Sequence, residues 1–379
     1  MSSSENYTAR KVTGLQYYGK GDIRVEQMAS LPCGPDEVRL KVAYCGICGS
    51  DIHEFLGGPI FPPQEGETNK YTGVNLPITM GHEFSGTVIE VGSQVKDITM
   101  GQEVAVNPAW DHRHYGADLC GPCKRGRFNT CDDMTTYGLG APGGGFCEEV
   151  VVKAMNCIAL PGGVGLKVAA LSEPLSVAHH CVDISGFNPG QTALICGAGP
   201  IGLALAAILR VKGASKIIMT EVTQSRIAQA RKFGADAVIN PLKMDDQGHP
   251  RPDPVLTAVA DLTEDGVDVA FDATGLQSTL DLCIAATRAG GVVFNVAIHE
   301  RPLQINLNDL VKQEKKLMGG ICYQNSDFEA VLQILAEGRF NAEDMITSIV
   351  PLSNVVDGGF GELINNKAAH VKILVTPGQ

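Results

Sequence analysis

Three side-chain types in this sequence occur where they can hold a reactive metal. Cys48 lies in Cys48-Gly-Ser50-Asp51-Ile-His53, and His82 in Gly81-His82-Glu83-Phe-Ser-Gly86; Glu173 lies far downstream, in LSEPLSVAHH. A thiolate, an imidazole and a carboxylate suit a catalytic zinc, which takes three protein ligands and keeps a fourth position open. Taken singly, a cysteine or histidine is more often an ordinary packed residue than a ligand. A second motif in the same chain changes that balance.

That motif follows the apolar run Thr192–Cys196: Gly197-Ala-Gly199-Pro200-Ile201-Gly202, then a helical stretch. GxGxxG alone is a weak signal, but a strand before it and a helix after it supply the required context. Gly197 permits a tight turn, Gly199 lets the backbone approach a pyrophosphate, and Gly202 allows close helix–strand packing. The helix N-terminus, with its free N–H groups and dipole, favours the anion. Nineteen residues past Gly202, a second strand ends at Glu221. A carboxylate there accepts hydrogen bonds from ribose hydroxyls and repels a 2′-phosphate, which favours NAD over NADP. Arg226 either stacks on the adenine or is a solvated helix charge.

The elements that must position these groups fall into three regions. From about Val12 to Leu160, short runs such as EVRLKVAY, GTVIEV and EVAV alternate with Gly/Pro-rich turns, as in a barrel or meander. From about Pro189 to Cys322, strand and helix patterns alternate: TALIC, IGLALAAILRVKG, KIIMTE, SRIAQARKFG, then VDVAFDATG and GGVVFNVAI. The last stretch has a helix in FEAVLQILAEG, a second around Val356–Asn366 and a closing strand VKILV, and is expected to return to the first domain. Gln64–Gly73 and Pro241–Pro254 read as polar surface loops.

A chain of 379 residues is long enough for two domains with their own cores. The net charge of −12 comes without a basic cluster, so neither nucleic acid nor an anionic membrane is an expected partner. No run approaches the roughly 18 apolar residues of a membrane span, and the first ten residues hold no apolar segment of a signal peptide. A cytoplasmic location is therefore expected. Twelve cysteines then read as thiols or metal ligands rather than a disulfide framework.

The sequence resembles the zinc-containing medium-chain alcohol dehydrogenases, since GHEFSGTVIEVGSQV matches their zinc signature position by position and the likeness runs nearly the whole length. The resemblance implies an α/β plus β architecture. A GroES-like catalytic domain (1–185 and 325–379) would carry an inserted Rossmann domain with a doubly wound parallel sheet (186–324). It implies that Cys48 and His82 ligate zinc with Glu173 as third ligand. Glu83 matches a neighbouring glutamate that either binds the metal or stands just behind it, and Asp51 would orient His82. Cys120-x2-Cys123-x7-Cys131 resembles the family's structural-zinc lobe, with Ala117 where the fourth cysteine belongs. Three thiolates do not complete a tetrahedral site. Asp118, His114 or His112 supplies the fourth ligand, or the loop binds no metal.

Zinc in the first site would act as a Lewis acid, lowering the pKa of a bound alcohol towards neutrality, and the nicotinamide would accept the hydride. Ser50 is placed to take the hydroxyl proton; by resemblance it passes through the ribose to His53, which exchanges with solvent. DIHEFLGGPIFPP, GGICYQNSDFEAVLQILAEGRF and HVKILVTP look most like the branch acting on 2,3-butanediol and acetoin. Phe55, Leu56, Pro59, Ile60 and Phe61 form an apolar set suited to a small diol. Sorbitol-type polyol dehydrogenases share Glu173 and the CGSDxH motif. A non-catalytic NAD-binding protein would be expected to lose ligands that this chain retains. The family further implies a homo-oligomer, a dimer or a tetramer.

Overall fold

The chain runs through a β-rich stretch and then an alternating strand–helix stretch, and its last strand, Lys372–Thr376, pairs with a strand of the β-rich part. The computed structural model describes residues 10–242, 253–299 and 301–378. Most of the loop expected at Pro241–Pro254 therefore lies outside the described residues. The chain divides into two units, one comprising Met1–Glu173, Gln324–Ala336 and Ile346–Gln379, the other Pro174–Tyr323 and Glu337–Met345.

The first unit is built on a seven-stranded sheet whose centre is β1 (Glu37–Gly46). It pairs antiparallel with β2 (Glu83–Val91), with Glu149–Lys153 and with the closing strand Lys372–Thr376. Between β1 and β2 in sequence comes helix α1 (Gly49–Gly57). Alternation along β1 sends Val38, Leu40 and Val42 into a core shared with Tyr17, Phe84 and Phe146. The expected helix around Val356–Asn366 is present in altered form. Val355–Gly361 is a π-helix, and only Glu362–Asn365 is an α-helix. The glycines of DGGFG are poor helix formers, and Gly359 packs so closely on Ile47 that a Cβ would lie 2.7 Å from its Cδ1.

The second unit carries a six-stranded sheet, parallel throughout. Its members in chain order are β3 (Thr192–Cys196), β4 (Lys216–Thr220), β5 (Ala237–Ile239), β6 (Val267–Asp272), β7 (Thr287–Asn295) and β8 (Lys316–Gly319). Across the sheet they run β5-β4-β3-β6-β7-β8, so the order reverses beside β3. Ala193–Cys196, Ile217–Thr220 and Val269–Asp272 are all buried, the continuous burial expected of parallel strands covered on both faces. Helix α2 (Pro200–Val211) follows β3; it begins with proline at its first turn and buries every residue from Gly202 to Leu209.

Candidate active site

Strand register brings the candidate ligands together. Gly46, the last residue of β1, stands opposite Glu83, the first of β2. Cys48 lies two residues beyond the first strand's end, and His82 one residue before the second strand's start, so both emerge at the same edge. One ligand atom each from Cys48, His82 and Glu83 lies within 4.8 Å of the others, the spacing a single ion needs. Glycine at 46 is required there, since a Cβ would sit 2.1 Å from the Glu83 Oε2.

Buried Asp51 holds both ends of this arrangement. One carboxylate oxygen accepts from the Cys48 backbone N–H at 2.9 Å, and the other faces His82 Nδ1 at 3.5 Å. Neither that second oxygen nor His82 Nδ1 has a hydrogen-bond partner, so a slight turn of the ring would join them. His82 Nε2 faces the Ser50 hydroxyl at 3.2 Å. Burial opposes a charge on His82, but Asp51 and Cys48 outweigh it and raise the imidazole's pKa well above its ordinary value. Negative groups that would hold a proton here would equally hold a cation. Soft sulfur, imidazole and carboxylate donors around an acidic partner fit zinc. His53 is exposed on α1, as a group that exchanges protons with solvent must be.

One principal residue escaped the sequence reading. Lys372, in the closing strand, is buried and donates to both Glu83 oxygens at 2.7 Å and to the Ile47 carbonyl at 3.1 Å. Burial pulls its pKa down; Glu83, with Cys48 and Glu173 nearby, more than restores it. Glu173 itself is buried in the first turn of the helix Ser172–Ile184, close enough to act on Lys372. The sequence signal was a lone lysine inside an apolar strand, a position that demands a partner.

The apolar segment after α1 hangs on another missed carboxylate. Fully buried Glu54 accepts from the backbone N–H groups of Ile60 and Phe61, both at 2.8 Å, and burial raises its pKa. The expected apolar set divides here: Phe55 packs edge-on against Phe360, whereas Leu56, Ile60 and Phe61 are exposed.

In the second unit the Gly-rich turn has the form a dinucleotide needs. Gly197 has φ of +100°, a left-handed conformation, and a Cβ on Gly202 would lie 1.9 Å from the Gly197 carbonyl oxygen. Gly199 is the contrast: its Cβ would meet nothing within 4 Å, leaving open space over the start of α2, where Pro200 and Ile201 form the first turn. Glu221 is fixed by three backbone N–H groups, from Ala198 at 3.1 Å and from Val222 and Thr223 at 2.8 Å. Its carboxylate thereby touches the glycine turn itself. Arg226 lies half-buried on the helix Gln224–Lys232 that follows.

The cysteine lobe is also gathered. Cys120 and Cys131 stand 3.9 Å apart, sulfur to sulfur, with buried Cys123 beside both. Of the three candidate fourth ligands, His112 is the one within 4.8 Å of Cys120 and Cys131. His114 points elsewhere, its nitrogens bonded to Asp111 N at 3.0 Å and Asn156 Oδ1 at 2.8 Å.

Fold and site together define a two-unit dehydrogenase, one unit carrying a Cys/His/carboxylate cluster and the other a dinucleotide-binding sheet. Residues 34–162 match the alcohol dehydrogenase GroES-like domain and residues 200–337 the zinc-binding dehydrogenase domain. The chain belongs to the zinc-binding alcohol dehydrogenase family, and zinc and a nicotinamide dinucleotide are its cofactors. It is 40% identical to an (R,R)-butanediol dehydrogenase of Saccharomyces cerevisiae, over 96% of this chain and 97% of that one. The crystal structure of 2R,3R-butanediol dehydrogenase from Bacillus subtilis superposes with a TM-score of 0.87 at 37% identity, covering 97% of this chain and all of the other. A probable D-xylulose reductase of Aspergillus clavatus is 30% identical over 83% of each chain.

Proposed function

We propose that this enzyme interconverts (R,R)-2,3-butanediol and (R)-acetoin with NAD. The observation that carries this reading is the contrast in likeness. Identity to a butanediol enzyme extends over nearly the whole chain at 40%, while a polyol-type relative stands at 30% over 83%. The exposed apolar segment Ile60–Phe61, held by Glu54, supports a substrate bearing methyl groups rather than a chain of hydroxyls.

Cys48, His82 and a carboxylate from Glu173 or Glu83 would hold the zinc, which would supply Lewis-acid polarisation of an alcohol, while the dinucleotide would supply the hydride acceptor. The protein's own groups do the rest. Asp51 fixes the Cys48 backbone and the His82 ring. Ser50 Oγ takes the hydroxyl proton while passing its own on, through the ribose of the dinucleotide, to exposed His53, which exchanges it with solvent. Lys372 neutralises Glu83 and holds it in place. Residues 1–185 and 325–379 act as the catalytic domain, and 186–324 bind the dinucleotide.

The test of the substrate is kcat/KM for the (R,R), meso and (S,S) diols beside sorbitol and xylitol. One buried methyl is worth about 1–3 kcal/mol, so short secondary alcohols should react more slowly without being excluded. Stereochemistry should matter more, because the wrong carbinol points its hydrogen away from the nicotinamide. A polyol exceeding every butanediol isomer would overturn the substrate, and a preference for (S,S) only the configuration.

Glu221, anchored against the glycine turn, carries the choice of NAD. Glu221→Ser should narrow the preference for NAD over NADP by removing repulsion of the 2′-phosphate. Equal wild-type efficiency with both cofactors would refute the assignment.

Self-association as a dimer or tetramer completes the proposal. β8 pairs only with β7 among the described residues, and Leu307, Val311 and Leu317 beside it in sequence are exposed. An unpaired edge with apolar neighbours is a natural contact for a second copy. A one-chain mass by light scattering at micromolar concentration would count against it. Among the described residues no helix is long and apolar enough to cross a membrane.

A further inference from the structure

We propose that the cysteine lobe is a complete tetrahedral zinc site in which His112 replaces the missing fourth cysteine and Asp133 holds the histidine in place. The site is separate from the redox centre, and its function is to brace the lobe.

Three observations carry this. First, the sulfurs are at the right spacing: with Zn–S of about 2.3 Å, a tetrahedral edge between two thiolates is roughly 3.8 Å, and Cys120 and Cys131 are 3.9 Å apart. That distance is far too long for a disulfide, and all three cysteines are free. Second, His112 comes to this cluster from a position five residues before Ala117, where the pattern lacks its cysteine. The chain reaches it through a sharp turn. His112–Tyr115 is a single helical turn capped by Asp111 and closed by Gly116 at φ +61°, which turns the backbone towards Cys120.

Third, the ring is oriented as in a carboxylate–histidine–metal triad. His112 Nε2 bonds to Asp133 Oδ2 at 2.9 Å, and the other Asp133 oxygen is held by Lys70 at 2.9 Å. A proton at Nε2, donated to Asp133, would leave the lone pair at Nδ1 for an ion. That nitrogen faces the turn carrying Cys120, with the Cys120 N–H at 3.0 Å and the Asp118 carbonyl oxygen at 2.6 Å. A small rotation would trade the carbonyl contact for the ion. Such a carboxylate fixes tautomer and orientation and raises ligand basicity. Three thiolates and one imidazole form a closed donor set of the structural zinc type.

The experiment is zinc analysis of the purified full-length enzyme and its variants, with chelator competition for affinity. Wild type should carry two zinc ions per chain, one of which Cys48→Ala removes while the other stays. His112→Ala should lose the lobe ion, His114→Ala should keep it, and His112→Ala/Ala117→Cys should regain it by restoring a fourth thiolate. Asp133→Asn, a mild change that keeps the fold, should weaken the lobe ion about 10–100-fold in competition. Cobalt exchanged into the lobe should show the spectrum of three sulfurs and one nitrogen, and that of four sulfurs in the rescued variant. One zinc per chain in wild type, lost with Cys48→Ala, would overturn the proposal. So would full retention of the lobe ion in His112→Ala.

Discussion

Cys48→Ala should reduce kcat/KM for the diol by about three powers of ten or more while leaving NADH binding intact in a fluorescence titration. The size follows from what is lost. Lewis-acid stabilisation of the developing negative oxygen is worth several kcal/mol, and about 4 kcal/mol corresponds to roughly a thousandfold at 1.36 kcal/mol per factor of ten. The nucleotide should still bind, because the glycine turn and Glu221 belong to a different unit from Cys48. Folding should survive too: the hydrogen bond that Asp51 makes at this position uses the Cys48 backbone N–H, which alanine retains. Zinc content should fall alongside activity. Substantial turnover in a preparation shown to lack this zinc would mean that the metal does not take part in the reaction, and the assignment of Cys48, His82 and the carboxylates would fail together.

How legible the site was in the sequence depended on how far apart its members lie along the chain. Most of the second unit's sheet could be read strand by strand, since TALIC, KIIMTE and VDVAFDATG carry their burial in their composition, but its edge strand Lys316–Gly319, mostly exposed, could not. The cluster of Cys48, His82 and Glu83 was legible because each stands in a short motif at the end of a strand, and the pairing of those two strands does the rest. Lys372 was not, because its contact with Glu83 spans 289 residues and depends on the closing strand pairing beside β1. Glu54 was hidden differently. It sits within the motif region, but its role is to accept backbone N–H groups from a loop whose path no local pattern specifies. His112 was one of three alternatives, and only the side-chain surroundings, His112 beside Cys120 and Cys131 and His114 bonded to Asn156, distinguished it from His114. The π-helical turn at Val355–Gly361 reflects a competition that periodicity cannot see, between an apolar pattern and the glycine needed against Ile47.

Lys372→Met should destabilise the first unit by about 3–5 kcal/mol, the usual result of stripping one partner from a buried ion pair. Glu83 is fully buried, and Lys372 donates to both of its oxygens. Removing the ammonium strands a carboxylate in the interior beside Cys48, so the cost is chiefly that of an uncompensated charge rather than of a lost attraction. The double variant Lys372→Met/Glu83→Gln removes both charges, and most of the stability should return. That recovery distinguishes the ion-pair account from simple loss of the lysine stem's packing, which would persist in the double variant. Trp110, the chain's single tryptophan, lies in the core of this unit and reports its urea unfolding directly. The catalytic consequence runs the same way. Glu83, within 4.8 Å of the Cys48 and His82 donor atoms, loses the cation that offsets its charge. Uncompensated negative charge beside the ion reduces the charge the metal can exert on substrate, so kcat should fall in Lys372→Met even at temperatures where the protein remains folded, and Lys372→Arg should preserve more of it by keeping the cation. A Lys372→Met protein whose unfolding free energy stays within about 0.5 kcal/mol of wild type, the range of an ordinary surface substitution, would show that Glu83 finds other compensation and that Lys372 does not hold it.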